Sequence, residues 1–220
     1  MRSFARHEPS AVLLAAQLAA VLLYPFMEGA HVGRALFSVF GIAILALVLL
    51  AVRWSPALTW VAVVLGIPAT VLLLIQAITN DDALLPYSSA LEAALYFYAA
   101  GALIAYMLAD RVITRDELFA VGATFTLVAW AFAYLYTVWQ AVEPASFSAG
   151  AGDGGERSWM ELLFLSFTTL SSTGLSDITP VKAFARSLVM LEQLAGVAYL
   201  ALVVSRLVGL LVMHPRADGD

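Results

Sequence analysis

The chain has 220 residues, 62% hydrophobic and 12% charged, with no cysteine and a formal net charge of −5. A soluble domain of this length keeps roughly a quarter of its residues charged. Half that proportion, with a mean hydropathy of +0.91, indicates a polytopic membrane protein. It excludes a disulfide framework, a thiol nucleophile, a thiolate metal site and a basic nucleic-acid surface, and nothing marks an enzyme or a small-molecule substrate.

Six apolar runs predict spanning helices: Ala11 to Met27, Ala35 to Val52, Ala57 to Thr79, Ser89 to Ala109, Leu118 to Val142 and Phe184 to Met213. Each holds at least the ~17 residues that cross about 30 Å of hydrocarbon at 1.5 Å per residue. Arg2 and Arg6 precede the first run, but its length and the lack of a small-x-small cleavage site predict a retained helix rather than a signal peptide. Gln17 and Gln76 are expected to make helix–helix hydrogen bonds. Arg53, Arg111, Arg115 and Arg216 fall on the side of the N-terminus, whereas Asp81, Asp82 and the acidic loop before residue 158 fall opposite. The basic residues therefore predict that both termini are cytoplasmic.

The fourth run contains no basic residue. A voltage-sensing helix needs a ladder of arginines, since each charge moved through the field contributes about 2.3 kcal/mol per 100 mV; no voltage gating is expected. Glu92 is the only charge in this run, expected near the outer end as a solvated or interhelical carboxylate. Thr114-Arg115-Asp116-Glu117 has capping-box spacing and opens the fifth run.

Between the fifth and sixth runs lies "SWMELLFLSFTTL", Ser158 to Leu170, where Ser158 and Glu161 have capping-box spacing. Its twelve or so helical residues reach roughly 18 Å, part-way through a bilayer. A half-length helix that returns to its starting side leaves backbone at membrane depth, tolerated where it is buried in protein or lines a water-filled path. The return segment, Ser171-Ser172-Thr173-Gly174-Leu175-Ser176, suits a cation pathway. The helix C-terminus near Leu170 carries partial negative charge. Extended backbone from Ser172 to Ser176, with the Ser172 and Thr173 hydroxyls, can replace an ion's hydration shell. Asp177 at the mouth raises the local cation concentration. A polar hairpin lying at the interface is the alternative reading of the same spacing.

The run "SFTTLSSTGLSDITPVKAFARSLVMLEQLAGVAYLALVVSRLVGL" resembles the pore module of the potassium-channel superfamily: outer helix, pore helix, filter and inner helix, over about Leu118 to Leu211. Matching the family's Thr-Val-Gly-Tyr-Gly-Asp places Ser172, Thr173, Gly174, Leu175 and Ser176 as the ion-binding filter, with Asp177 after it and Ile178-Thr179-Pro180 following. The second filter glycine is Ser176 here and the aromatic is Leu175, which implies altered carbonyl geometry at the outermost site. The single glycine is also similar to the filters of Trk-type potassium transporters, which carry four such modules in one chain. The resemblance implies four subunits around one pore that passes K+, with Na+ as the other candidate permeant ion and no cofactor. It further implies a plasma (inner) membrane location of bacterial type.

Thr168, Thr169 and Glu192 are expected to support the filter, Glu192 by bonding the Thr168 or Thr169 hydroxyl; the alternative places Glu192 close to the outer interface, where a carboxylate costs little. Gly196 is a candidate gating hinge, or alternatively a close helix–helix contact. The expectation is an all-α membrane protein of six spanning helices with a re-entrant pore helix. It divides into a peripheral four-helix domain (1–113), a pore module (114–213) and a cytoplasmic tail (214–220). Two other functions share these features: a Trk-like transporter subunit, and a non-conducting scaffold built on the same module.

Overall fold

The computed structural model describes residues 8–27, 41–48, 50, 58–79, 82–109, 114–149 and 155–213. The tail at 214–220, half of the second predicted span, and Arg2, Arg6, Arg34, Arg53, Asp81, Arg111 and Arg216 lie outside the described residues.

In chain order the helices are α1 (Pro9–Met27), α2 (41–48), α3 (Thr59–Thr79), α4 (Leu85–Leu108), α5 (Arg115–Val142), α6 (Trp159–Leu170) and α7 (Ala183–Met213). A 3-10 turn at Asp82–Leu84 precedes α4, and two short strands, β1 (Phe147–Ser148) and β2 (Thr179–Pro180), flank α6. Five of the described helices, α1, α3, α4, α5 and α7, are long and apolar enough to cross a membrane, and α6 is a shorter apolar helix. The chain is an all-α membrane protein.

Helix boundaries follow from local chemistry. α4 begins at Leu85, four residues before the expected Ser89, because Pro86 in its first turn has no N–H to leave unpaired. α5 begins after Thr114, whose hydroxyl accepts from the Glu117 N–H at 3.2 Å. The Glu117 carboxylate is turned away from this cap to Arg206 of α7, at 2.9 Å. Its neighbour Asp116 accepts from the Ser10 N–H and hydroxyl, both at 2.9 Å, and from the Tyr106 hydroxyl at 3.3 Å. Adjacent carboxylates in one turn thus tie the start of α1, the end of α4 and the far part of α7 to the start of α5.

α5 is the spine of the molecule, with 61% of its spanning window buried against 28% for α7; α7 is left with open faces. One apolar core joins α1 to α6 through Leu13, Leu45, Tyr96, Leu127, Trp130 and Leu163. A second, around Phe132, Tyr136, Phe147, Leu162, Ile178 and Leu188, joins α5, α6 and α7 to both strands. Gln76 bonds Ser88 across α3 and α4 at 3.1 Å, as expected. Gln17 is fully buried, and its amide has no hydrogen-bond partner among the described residues. Glu92 is 2% exposed, the interhelical of its two expected settings rather than the solvated one.

Candidate functional site

The half-length helix α6 is fastened at its start. Ser158 accepts from the Glu161 N–H and the Glu161 carboxylate accepts from the Ser158 N–H at 2.6 Å, which completes the expected capping box. Just before it, the Gln140 side chain of α5 pairs with the Arg157 backbone: its amide donates to Arg157 O at 2.9 Å and its oxygen accepts from Arg157 N–H at 2.8 Å. Arg157 then reaches Glu161 at 3.3 Å. These bonds set where α6 enters the protein from the end of α5.

The other end of α6 closes with a Schellman cap. Ser172 N–H donates to Thr169 O and Thr173 N–H to Thr168 O, both at 3.0 Å, and Gly174 N–H reaches Thr168 O at 3.1 Å. The cap requires a left-handed residue, and Ser172 occupies that position at φ 61°. The extended backbone expected from Ser172 onward therefore starts later, because Ser172 is spent in turning the chain. Gly174 is left-handed as well, at φ 65°, a conformation glycine adopts at no steric cost. The hydroxyls near this turn face back onto α6. Thr173 Oγ1 donates to Thr168 O at 3.3 Å, Ser171 Oγ to Phe167 O at 2.6 Å, and Thr168 Oγ1 to Leu165 O at 2.9 Å.

Beyond the turn, Ser172 to Leu175 are exposed, with Leu175 at 77%. A side-chain carbon added at Gly174 would meet nothing within 4 Å; no described part of this chain covers the turn there. Ser176 is not left-handed among the described residues, so a serine there carries no strain. Its hydroxyl accepts from the Ile178 N–H at 3.0 Å, closing a small turn. Asp177 is exposed, and Ile178 is buried in the second core. The segment is then pinned by antiparallel pairing of Thr179–Pro180 with Phe147–Ser148 and by Val181 N–H to Ser146 O at 2.9 Å. The loop is thus fixed at both ends and open in the middle.

α7 sets the depth of α6. Glu192 is fully buried, and its two oxygens accept from hydroxyls on two different helices, Tyr136 of α5 and Ser166 of α6. The Ser166 hydroxyl also reaches Ala129 O of α5 at 2.8 Å. Glu192 is therefore joined to Ser166 and Tyr136, not to the Thr168 or Thr169 hydroxyls, which lie further along α6. One turn on, Gly196 abuts the last residue of α6. A side-chain carbon there would collide with Leu170 O and lie 2.9 Å from its carbonyl carbon. Ser166 and Leu170 are one turn apart on α6, as Glu192 and Gly196 are on α7. The two contacts share the same 26-residue offset, so α6 and α7 run side by side in register. Tyr199 adds a third tie, its hydroxyl donating to Val121 O of α5 at 2.6 Å.

Of the residues singled out from the sequence, Ser172 to Asp177 form one continuous open loop, Thr168 and Thr169 form its base, and Glu192 and Gly196 stand behind α6. The sequence gives no role to Tyr136, Tyr199 or Ser166, although Ser166 opens the polar stretch. A family model described as "Ion channel" matches residues 93–213, more than half of the chain. No curated protein and no solved structure matches.

Proposed function

This chain belongs to the ion channel family, and from that premise we propose that four copies surround one central pathway that conducts K+ passively. The observation that carries this reading is the capped half-length helix followed by an open polar loop, with that loop anchored at both ends. One chain supplies one such loop, and a shell of oxygens around an ion needs several. The exposed apolar side chains of α7, Leu191, Leu194, Val197, Val204 and Val208 among them, offer surface for neighbouring copies and for the wall of the pathway below the loop.

In this mechanism an ion sheds water at the loop, where carbonyl oxygens from Ser172 to Ser176 replace its hydration shell. Asp177 at the mouth concentrates cations. Residues 114–213 act as the pore module and residues 1–113 as its peripheral helices. Gating is independent of voltage, since α4 carries no arginine ladder. The protein sits in the plasma membrane with both termini cytoplasmic, following the distribution of its basic residues.

The test is K+ flux from liposomes containing purified tetramers. Flux is expected from the wild type and not from Gly174→Asp, which puts a charged side chain on a left-handed residue at the open turn. Well-folded tetramers that pass no monovalent cation would refute the proposal.

A further inference from the structure

A second buried carboxylate lies away from the pathway. Ser89, Glu92 and Tyr96 share one face of α4, at positions i, i+3 and i+7, and none is more than 2% exposed. Glu92 Oε1, the Ser89 hydroxyl and the Tyr96 hydroxyl have no hydrogen-bond partner among the described residues. Opposite them on α5 stands Tyr134, hydrogen-bonded to Glu92, with its ring 5.6 Å from that of Tyr96. Trp130 meets Tyr96 edge-on at 6.0 Å. Among the described residues, Tyr96 and Tyr134 are the titratable side chains around Glu92, with Tyr24 of α1 beyond Tyr134, and no basic residue faces it.

A lone carboxylate out of water is costly unless a positive charge or full hydrogen bonding compensates it. Here one carboxylate oxygen, a phenol and a serine hydroxyl are turned inward without partners. The donors are all oxygen, and only one is anionic. That set suits a single hard positive charge, while a divalent ion would leave an uncompensated charge in the membrane. The aromatic faces add attraction for a cation.

We propose that Ser89, Glu92, Tyr96 and Tyr134 form a binding site for one small monovalent positive charge, supplied as a proton or as a bare alkali cation. The site lies one ring from the pore module's short helix: Tyr134 is 5.4 Å from Trp159, the first residue of α6. Occupancy of the site therefore bears on how α6 is held.

The test is thermal unfolding of the purified full chain, measured across NaCl and KCl concentrations at fixed pH and across pH at fixed salt, for wild type, Glu92→Gln and Tyr96→Phe. A ligand that binds only the folded state raises the midpoint by roughly 3–5 °C per tenfold increase beyond half-saturation. The wild type is expected to show such a rise along the salt axis or the pH axis, and the axis identifies the source of the charge. In Glu92→Gln the part of that rise due to this site is lost, because a neutral amide needs no counter-charge. In Tyr96→Phe the half-effect moves by about tenfold or more, corresponding to one lost oxygen contact. Stabilisation by ions in the pathway is common to all three proteins and cancels in the comparison. If Glu92→Gln does not assemble, Tyr96→Phe decides alone. Variants that follow the wild type along both axes would overturn the proposal.

Discussion

Glu92 and Glu192 are both fully enclosed in spanning helices without a basic partner among the described residues, yet their surroundings differ. Each oxygen of Glu192 accepts from a hydroxyl, one on α5 and one on α6. Glu92 has one engaged oxygen and one without a partner, with further unpartnered hydroxyls beside it. A satisfied buried network fixes geometry, whereas unpaired buried groups are costly and call for a compensating partner. Glu192 therefore ties α5, α6 and α7 together, whereas Glu92 is the centre of the proposed ligand site.

The comparison breaks most sharply at Glu192→Ala, which orphans the Tyr136 hydroxyl and leaves Ser166 only Ala129 O. The two lost bonds amount to roughly 3–5 kcal/mol, so loss of stable tetramers in thermal unfolding is expected. Glu192→Gln, which can accept from one hydroxyl and meet the other with its amide, should assemble and conduct. If Glu192→Ala were as stable as wild type, Glu192 would not be a brace.

Gly196→Ala comes next. The added methyl group must displace the end of α6, at about 1–3 kcal/mol for overpacking, and with it the loop that starts two residues later. The expected readout is a reversal potential moved toward equal K+ and Na+ permeability. A pure hinge role for Gly196 would instead alter open probability and leave the reversal potential in place.

Tyr136→Phe removes one of the two hydroxyls on Glu192 and should cost about 1–2 kcal/mol, less than Glu192→Ala, with conduction retained. The smallest effect is expected at Ser172→Gly. A left-handed serine is strained by about 1 kcal/mol relative to glycine, so the variant should be as stable as wild type or slightly more so. A marked loss of stability there would mean that the Ser172 side chain has a role beyond the cap.

Much of this architecture could be read from the sequence. The capping box at Ser158 located the start of α6, and the hydroxyl-rich run after Leu170 located its end. What stayed hidden depended on tertiary register or on conformations that carry no sequence mark. Ser172 is left-handed where only a glycine would have announced it. The Glu192 partners lie 56 and 26 residues away, and nothing in a one-helix period says which hydroxyl of a neighbouring helix it meets; the expected Thr168 and Thr169 are displaced from Ser166 along the same helix. The contact of Gly196 with Leu170 O joins residues 26 apart in sequence, which no local spacing announces. Glu92 has two settings open to it in the sequence, water or a neighbouring helix, and α5 packing over it decides between them.

The central claim, that an open loop from Ser172 to Ser176 seated on α7 forms a cation pathway, is tested most directly by a planar-bilayer recording under opposed K+ and Na+ gradients. The expected result is a cation current reversing toward the K+ potential, abolished by Gly174→Asp and shifted toward zero by Gly196→Ala. Tetramers that carry no cation current, or a current indifferent to both substitutions, would contradict it.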